Sequence, residues 1–401
     1  MGAIGLSATA PVAPSAKDEK RRAGMVAEIV TALLGVGLIL FAAMADRAWL
    51  DRHLLPHMFL QRSEQLLWWI VERSLAFAIG FALLIPIRRR VGRAFRAGRG
   101  RDLLLNLLLS VLAIGMALLA SEFILRTANW ARVERWAQSE EPLRHADAIL
   151  GWANMPSRQG TDHFGGRDIR YVIDAKGRRI DEPAHPVDPG RPSILFAGES
   201  IMFGFRLNWP ETAAARIERA TGLQSVNIAV NGYGTDQELM RLRQELPGFA
   251  RPVAVVALFA PTLLERSLDG HRPYLDAGLR WHAARPAWRL ERVFKNVLLY
   301  HSTARIDDGV ARAHASLAAI VAMARARNAV PVILVPEFAP EPAVERELRE
   351  RVLAGLPYVR VELDRRWSIA GDGHPDARAN QEMADALRAA LAPRLASQAV
   401  R

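Results

Sequence analysis

The sequence predicts a three-layer α/β/α sandwich with a five-stranded, mainly parallel sheet, preceded by about three transmembrane helices. Three observations predict it. Apolar runs long enough to cross a bilayer fill the first 126 residues. From Arg191 onward, short β-rich runs alternate with helical patterns, the signature of βαβ units. A serine, a glycine turn and a histidine each fall just beyond a strand of that alternating part.

At 401 residues the chain exceeds the usual size of one core and suggests a membrane part followed by a soluble part. The net charge of +11 suggests nucleic acid, but residues 1–126 hold 16 Lys and Arg against 9 Asp and Glu, so only +4 belongs to the rest. The excess marks a membrane-proximal region, and no nucleic-acid partner is expected. Cysteine is absent, which excludes disulfides, a cysteine nucleophile and thiolate metal sites. The ten histidines show no His-Glu-x-x-His spacing, so neither a metal nor a cofactor is expected.

Taken in order, residues 1–23 form a cytoplasmic tail and 24–126 a membrane region. Its predicted spans are 24–45, 66–87 and 103–125, each near the roughly 20 residues a helix needs to cross hydrocarbon. The middle one is interrupted by Glu72 and Arg73, leaving Ser74 to Ile87 uninterrupted, while Trp68 and Trp69 suit an interfacial belt. Short loops set the orientation. The loop after the second span carries Arg88, Arg89, Arg90, Arg93, Arg96, Arg99 and Arg101, whereas at 46–65 Arg47, Arg52 and Arg62 are offset by Asp46, Asp51 and Glu64. Basic loops stay cytoplasmic, so three crossings place everything after Arg126 on the periplasmic or extracellular face of a cell (inner) membrane protein. Lys17 to Arg22, the first apolar run and Ala43-Met44-Ala45 also imitate a cleavable signal. Cleavage would leave the later domain on the same side.

Residues 127–190 read as linker and lead-in, 191–393 as the α/β domain and 394–401 as a tail. Predicted strands are Ile194–Ala197, Val226–Val230, Val253–Phe259, Val330–Val335 and Tyr358–Leu363, with helices at about 210–221, 235–246, 310–328, 341–354 and 377–391. Thr235 with Glu238 has the spacing of a capping box ahead of Leu239, Leu242 and Leu246. In open parallel sheets, sites form beyond the carboxyl ends of strands. That edge collects Ser200, Gly232, Thr262 and His374.

Ser200 lies in Gly198-Glu199-Ser200-Ile201-Met202, where Met202 excludes the Gly-x-Ser-x-Gly elbow. The block resembles the first motif of the SGNH, or GDSL-like, hydrolase superfamily, with Glu199 in place of its Asp. Asn231-Gly232-Tyr233-Gly234 resembles the second block and Asp372-Gly373-His374-Pro375 the last, while Leu150-Gly151-Trp152 and Tyr171 to Arg179 are similar to lead-ins of membrane-anchored members. The resemblance covers roughly 148–393. It implies Ser200 as nucleophile, His374 as base, Asp372 as the orienting acid, and an oxyanion hole built from Ser200, Gly232 and Thr262. Two further positions depart from the pattern: Thr262 stands where an Asn side chain is usual, and Gly371 stands where the acid is usual, with Asp372 two residues before the histidine.

Residues 263–309 form a long insertion with Tyr274, Trp281, Trp288 and Tyr300, suited to a lid, a binding wall or an anchored loop. The resemblance implies an extracytoplasmic serine esterase or O-acyltransferase acting on esters, such as acetyl groups of envelope or secreted glycans. A lipid esterase and a catalytically silent glycan-binding or partner-binding envelope protein are the alternatives. The expected partners are the membrane and an acylated glycan or other ester; protein partners are not indicated.

Overall fold

Ser15 accepts the Asp18 N–H and caps helix α1 (Ala16–Met44). Helix α2 (Arg62–Ala82) runs through a π turn at Leu83–Ile87 into α3 (Arg88–Arg96). The π turn contains Pro86, whose missing N–H and bulky ring are accommodated by the wider turn. Helix α4 spans Gly100–Thr127. Among the described residues three helices are long and apolar enough to cross a membrane: Ala16–Met44, Ile70–Arg96 and Gly100–Ile124. The Arg-rich stretch expected as a loop is helical as far as Arg96, where an Arg96–Glu28 ion pair of 2.7 Å ties it to α1. Arginine is a good helix former, so the charge run extends the helix instead of breaking it. A Cβ on Gly35 would lie 2.7 Å from the Gly80 carbonyl oxygen, so α1 and α2 meet backbone to backbone there.

This computed structural model describes residues 15–45, 54–56, 62–127, 141–285 and 300–399. Arg47, Arg52, Asp46, Asp51 and Trp288 lie outside them. The chain divides into two units, with the change between Thr127 and Ala128.

In the second unit a hairpin of β1 (Arg144–Asp147) and β2 (Gly151–Asn154) precedes β3 (Gln159–Phe164), β4 (Arg167–Ile173) and β5 (Arg179–Ile180). The alternating part follows as β6 (Ser193–Ala197), α5 (Ser200–Phe203), α6 (Ala213–Thr221), β7 (Gln224–Asn227), α7 (Thr235–Glu245) and β8 (Pro252–Leu258). Then come α8 (Leu264–Ser267), a short hairpin of β9 (Tyr274–Leu275) and β10 (Trp281–His282), α9 (Thr303–Ala326), β11 (Val330–Phe338), α10 (Ala343–Val352), β12 (Tyr358–Leu363) and α11 (Ala377–Ala399). The central sheet has the order β12-β11-β8-β6-β7-β5-β4-β3. Its first five strands are parallel and its last three antiparallel.

The three-layer α/β/α architecture is as predicted, but among the described residues the sheet has eight strands, not five. The extra three come from the segment expected to be a linker. Ile169, Tyr171 and Ile173 of β4 enter the same core as Ile194 and Phe196 of β6. Polar residues on the other face, such as Thr161, His163 and Arg170, dilute the pattern and give the stretch the look of a loop. The central strands β6 and β8 are buried along their whole length and read as unbroken apolar runs. Helices α6 and α11 pack together, as do α7 and α9, covering the sheet. Residues 394–399, expected as a tail, continue α11.

The cap of α7 also differs from expectation. Gln237 Oε1 accepts the Gly234 N–H at 3.1 Å, while Glu238 turns inward to accept the Leu258 N–H at 3.3 Å. The frame moves by one residue because Glu238 is needed at the end of β8.

Candidate active site

Strand β6 ends at Ala197, and the chain turns within two residues into the single helical turn α5. Gly198 is required there: a Cβ would lie 2.5 Å from Met202 Cβ and 3.1 Å from Leu258 Cβ. Glu199 caps the turn, its Oε1 accepting the Ile201 N–H at 2.8 Å, which leaves Ser200 as the first helical residue. Ser200 is only 5% exposed.

Beyond β12, the chain forms a hairpin tip closed by an isolated bridge between Ser368 and Pro375. Ile369 N donates to His374 O at 2.8 Å, and Gly373 N donates back to Ile369 O at 2.9 Å. Gly371 and Gly373 take φ of +78° and +87°, values that let the tip fold back tightly. The fold-back turns the Asp372 carboxylate onto His374: Oδ1 contacts Nδ1 and also accepts the His374 N–H at 3.2 Å. A carboxylate two residues before the histidine thus reaches it because glycines flank it on both sides. His374 Nε2 lies 2.8 Å from Ser200 Oγ. The structure therefore joins Ser200, His374 and Asp372 in one hydrogen-bonded chain.

Gly232 lies in the turn after β7 at φ +88°, and a Cβ there would be 3.2 Å from Trp152 Cζ2. Trp152 Nε1 and Arg144 Nη1 both donate to the Asn231 carbonyl, at 2.9 and 3.3 Å, so the β1–β2 hairpin braces this turn. Among the described residues no hydrogen bond engages the backbone N–H of Ser200 or Gly232. Thr262 is half-buried in the 3-10 turn after β8, and no hydrogen bond fixes its hydroxyl among the described residues.

Several charged partners were not legible in the sequence. Asp372 Oδ2 accepts from Arg206 Nε at 3.4 Å, and the Arg206 guanidinium also pairs with Asp162 of β3. Arg206 is stacked over Phe164 and Phe205, 4.1 and 4.5 Å from their centroids, and Phe205 meets the His374 ring edge-on at 5.2 Å. Arg206 takes φ +63°, an unusual angle for a residue with a Cβ. Burial pushes the Asp372 carboxyl upward, but the His374 hydrogen bonds and charge, with Arg206, outweigh it and hold Asp372 below the usual carboxylate range. On the other side of the serine, Glu199 Oε2 contacts Ser200 Oγ and accepts from Arg266 Nη1 at 3.0 Å. Burial pushes Glu199 up as well, and the charge of Arg266, the Ser200 hydrogen bond and His374 reverse this to a net lowering. Glu238, fully buried nearby, is raised well above the usual range by burial and by the Glu199 charge.

Of the insertion's aromatics, Tyr274 is buried against His282 with ring centroids 5.0 Å apart, and Arg312 lies 4.6 Å over its ring. Trp281 is exposed, its Nε1 donating to Ile149 O at 3.2 Å. Tyr274 therefore anchors the loop.

No protein-family model matches the sequence, and no curated protein matches it. Solved structures that match include a lipolytic protein of the G-D-S-L family from Desulfitobacterium hafniense, 10% identical, covering 49% of this chain and 97% of that one with a TM-score of 0.29. A member of the same family from Veillonella parvula is 10% identical over 48% of this chain and 94% of its own, with a TM-score of 0.30. The salicylyl-acyltransferase SsfX3 of a tetracycline biosynthetic pathway is 15% identical over 51% of this chain and 55% of its own, also at 0.30. At these values the fold and the site stand on the strand order and the distances above.

Proposed function

We propose that this chain is a membrane-anchored serine esterase or O-acyltransferase whose catalytic domain lies outside the cytoplasm. The observation that carries the chemistry is the chain from Ser200 Oγ to His374 Nε2 at 2.8 Å and from His374 Nδ1 to Asp372. A hydroxyl is a weak nucleophile until a positioned base removes its proton, and a base works best when a third group fixes its tautomer. His374 takes the Ser200 proton as Oγ attacks an ester carbonyl. The tetrahedral oxyanion forms opposite the N–H groups of Ser200 and Gly232, with the Thr262 hydroxyl as the third donor. His374 returns the proton to the leaving alcohol, and water or a sugar hydroxyl then resolves the acyl-serine. Water makes the protein an esterase; a hydroxyl acceptor makes it a transferase. Outside the cytoplasm, acetylated envelope or secreted glycan is the substrate we favour.

Sidedness rests on the basic residues between Arg88 and Arg101, which the positive-inside rule retains in the cytoplasm. Chromogenic acetyl-ester hydrolysis by the detergent-solubilised full chain, beside Ser200→Ala and His374→Ala, tests the catalytic assignment. Loss in both variants supports it, and equal activity in all three removes it.

A further inference from the structure

We propose that Glu199, held by Arg266, is a positioning residue that parks the Ser200 proton away from the base in the resting site. The proposal rests on Ser200 being the nucleophile and adds a second partner to it. Two groups flank Oγ: Glu199 Oε2 on one side and His374 Nε2 at 2.8 Å on the other. The hydroxyl has a single proton to donate, so it serves one acceptor at a time. A hydrogen bond to an ionised carboxylate is roughly twice as strong as one to a neutral acceptor, and the buried setting amplifies the difference.

Glu199 is kept ionised and immobile by its surroundings. Its side chain is 1% exposed, Arg266 Nη1 lies 3.0 Å from Oε2, and Ile201 N–H fixes Oε1 at 2.8 Å. Arg266 is itself secured by donating to Tyr233 O at 3.1 Å and by accepting from Arg272 Nη2 at 2.7 Å through its carbonyl. The carboxylate therefore cannot swing away from Oγ. An Asp at position 199 would end one methylene short of the hydroxyl, so the contact depends on the longer side chain.

In the parked arrangement Oγ–H points at Glu199, so the 2.8 Å approach of His374 Nε2 to Oγ carries no seryl proton. Acylation requires the hydroxyl to rotate until its proton lies between Oγ and Nε2. The same proton then passes to His374, and the charge of Glu199 opposes the growing negative charge on Oγ. Both effects slow the first step.

The test is the second-order rate of fluorophosphonate labelling of Ser200 in the detergent-solubilised full chain, with thermal unfolding measured on each variant. Glu199→Asp retracts the carboxylate. Glu199→Gln keeps the volume and can donate an amide N–H to Oγ, which frees the seryl proton for His374. Both should label faster than the parent by about tenfold, the factor expected from removing one charge-assisted hydrogen bond from the ground state. A Glu199 that serves only to hold the turn would give slower labelling in both. Equal or slower labelling in whichever variant keeps the parental melting temperature overturns the proposal. Absence of labelling in the parent, indistinguishable from Ser200→Ala, would instead remove the nucleophile assignment on which it rests.

Discussion

Replacing Arg206 with methionine isolates what holds the acid of the proposed triad in place. Methionine keeps the length and apolar bulk between Phe164 and Phe205 but removes the guanidinium that joins Asp162 to Asp372. Breaking a buried pair costs about 3–5 kcal/mol. Arg206, Asp162 and Asp372 keep 11%, 16% and 11% side-chain exposure, so water recovers part of this and about 2 kcal/mol is the reasonable expectation. The catalytic effect should be larger than the structural one. The Asp372 carboxylate, freed on one side, no longer fixes the Nδ1 edge of the imidazole, and a displacement of about 1 Å in a catalytic group costs on the order of 10² in rate. Steady-state kinetics should show kcat falling by about that factor with KM nearly unchanged.

The pH dependence of stability follows in sign. Asp372 is held below its ordinary range in the folded state, so its contribution is complete above the unfolded value, near 3.9, and is lost as pH falls through the folded one. Without Arg206 the folded value rises toward the unfolded one, the contribution shrinks, and acid unfolding should begin at higher pH. Parental kcat in Arg206→Met, with an unchanged acid-unfolding midpoint, would refute the role given to this arginine.

Other substitutions probe the remaining parts. Asp372→Asn should lower kcat by about 10³–10⁴ because it favours the wrong imidazole tautomer, and kinetics on folded protein would show it. Gly232→Ala should destabilise by about 1–2 kcal/mol in denaturant titration, since φ of +88° is unfavourable with a Cβ and Trp152 lies 3.2 Å from the added atom. Thr262→Val should reduce kcat by about tenfold or more if its hydroxyl reaches the oxyanion, with little effect on the melting temperature. A reporter joined after Arg401 that works only outside the cytoplasm should be active, and a reporter that works only inside should be silent.

The fold was legible where the chain is buried on both sides. Strands such as Ser193–Ala197 and Pro252–Leu258 announce themselves because a parallel core strand has no polar face to disguise it. Strands β3 and β4 did not, because they carry exposed polar residues between more buried ones, and β5 is only two residues long; the antiparallel extension is a tertiary fact. At the site, the positions of Ser200, Gly232 and His374 at strand ends could be read locally. The glycines on either side of Asp372 carried the clue that a carboxylate two residues before the histidine could reach it. The partners Arg206, Asp162 and Arg266 had no such signal: each is an arginine or aspartate among many, brought near the serine and histidine only by folding. Glu199 was visible as a departure from the family pattern, but its reach to Oγ depends on the depth of burial and on Arg266.

The most direct measurement is mass spectrometry of the intact chain after brief exposure to an activated acetyl ester, followed by peptide mapping. An acetyl group on Ser200, absent in Ser200→Ala and suppressed in His374→Ala, is the result expected of an acyl-enzyme mechanism. Turnover of the ester with no adduct on Ser200, and with undiminished rate in Ser200→Ala, would contradict it.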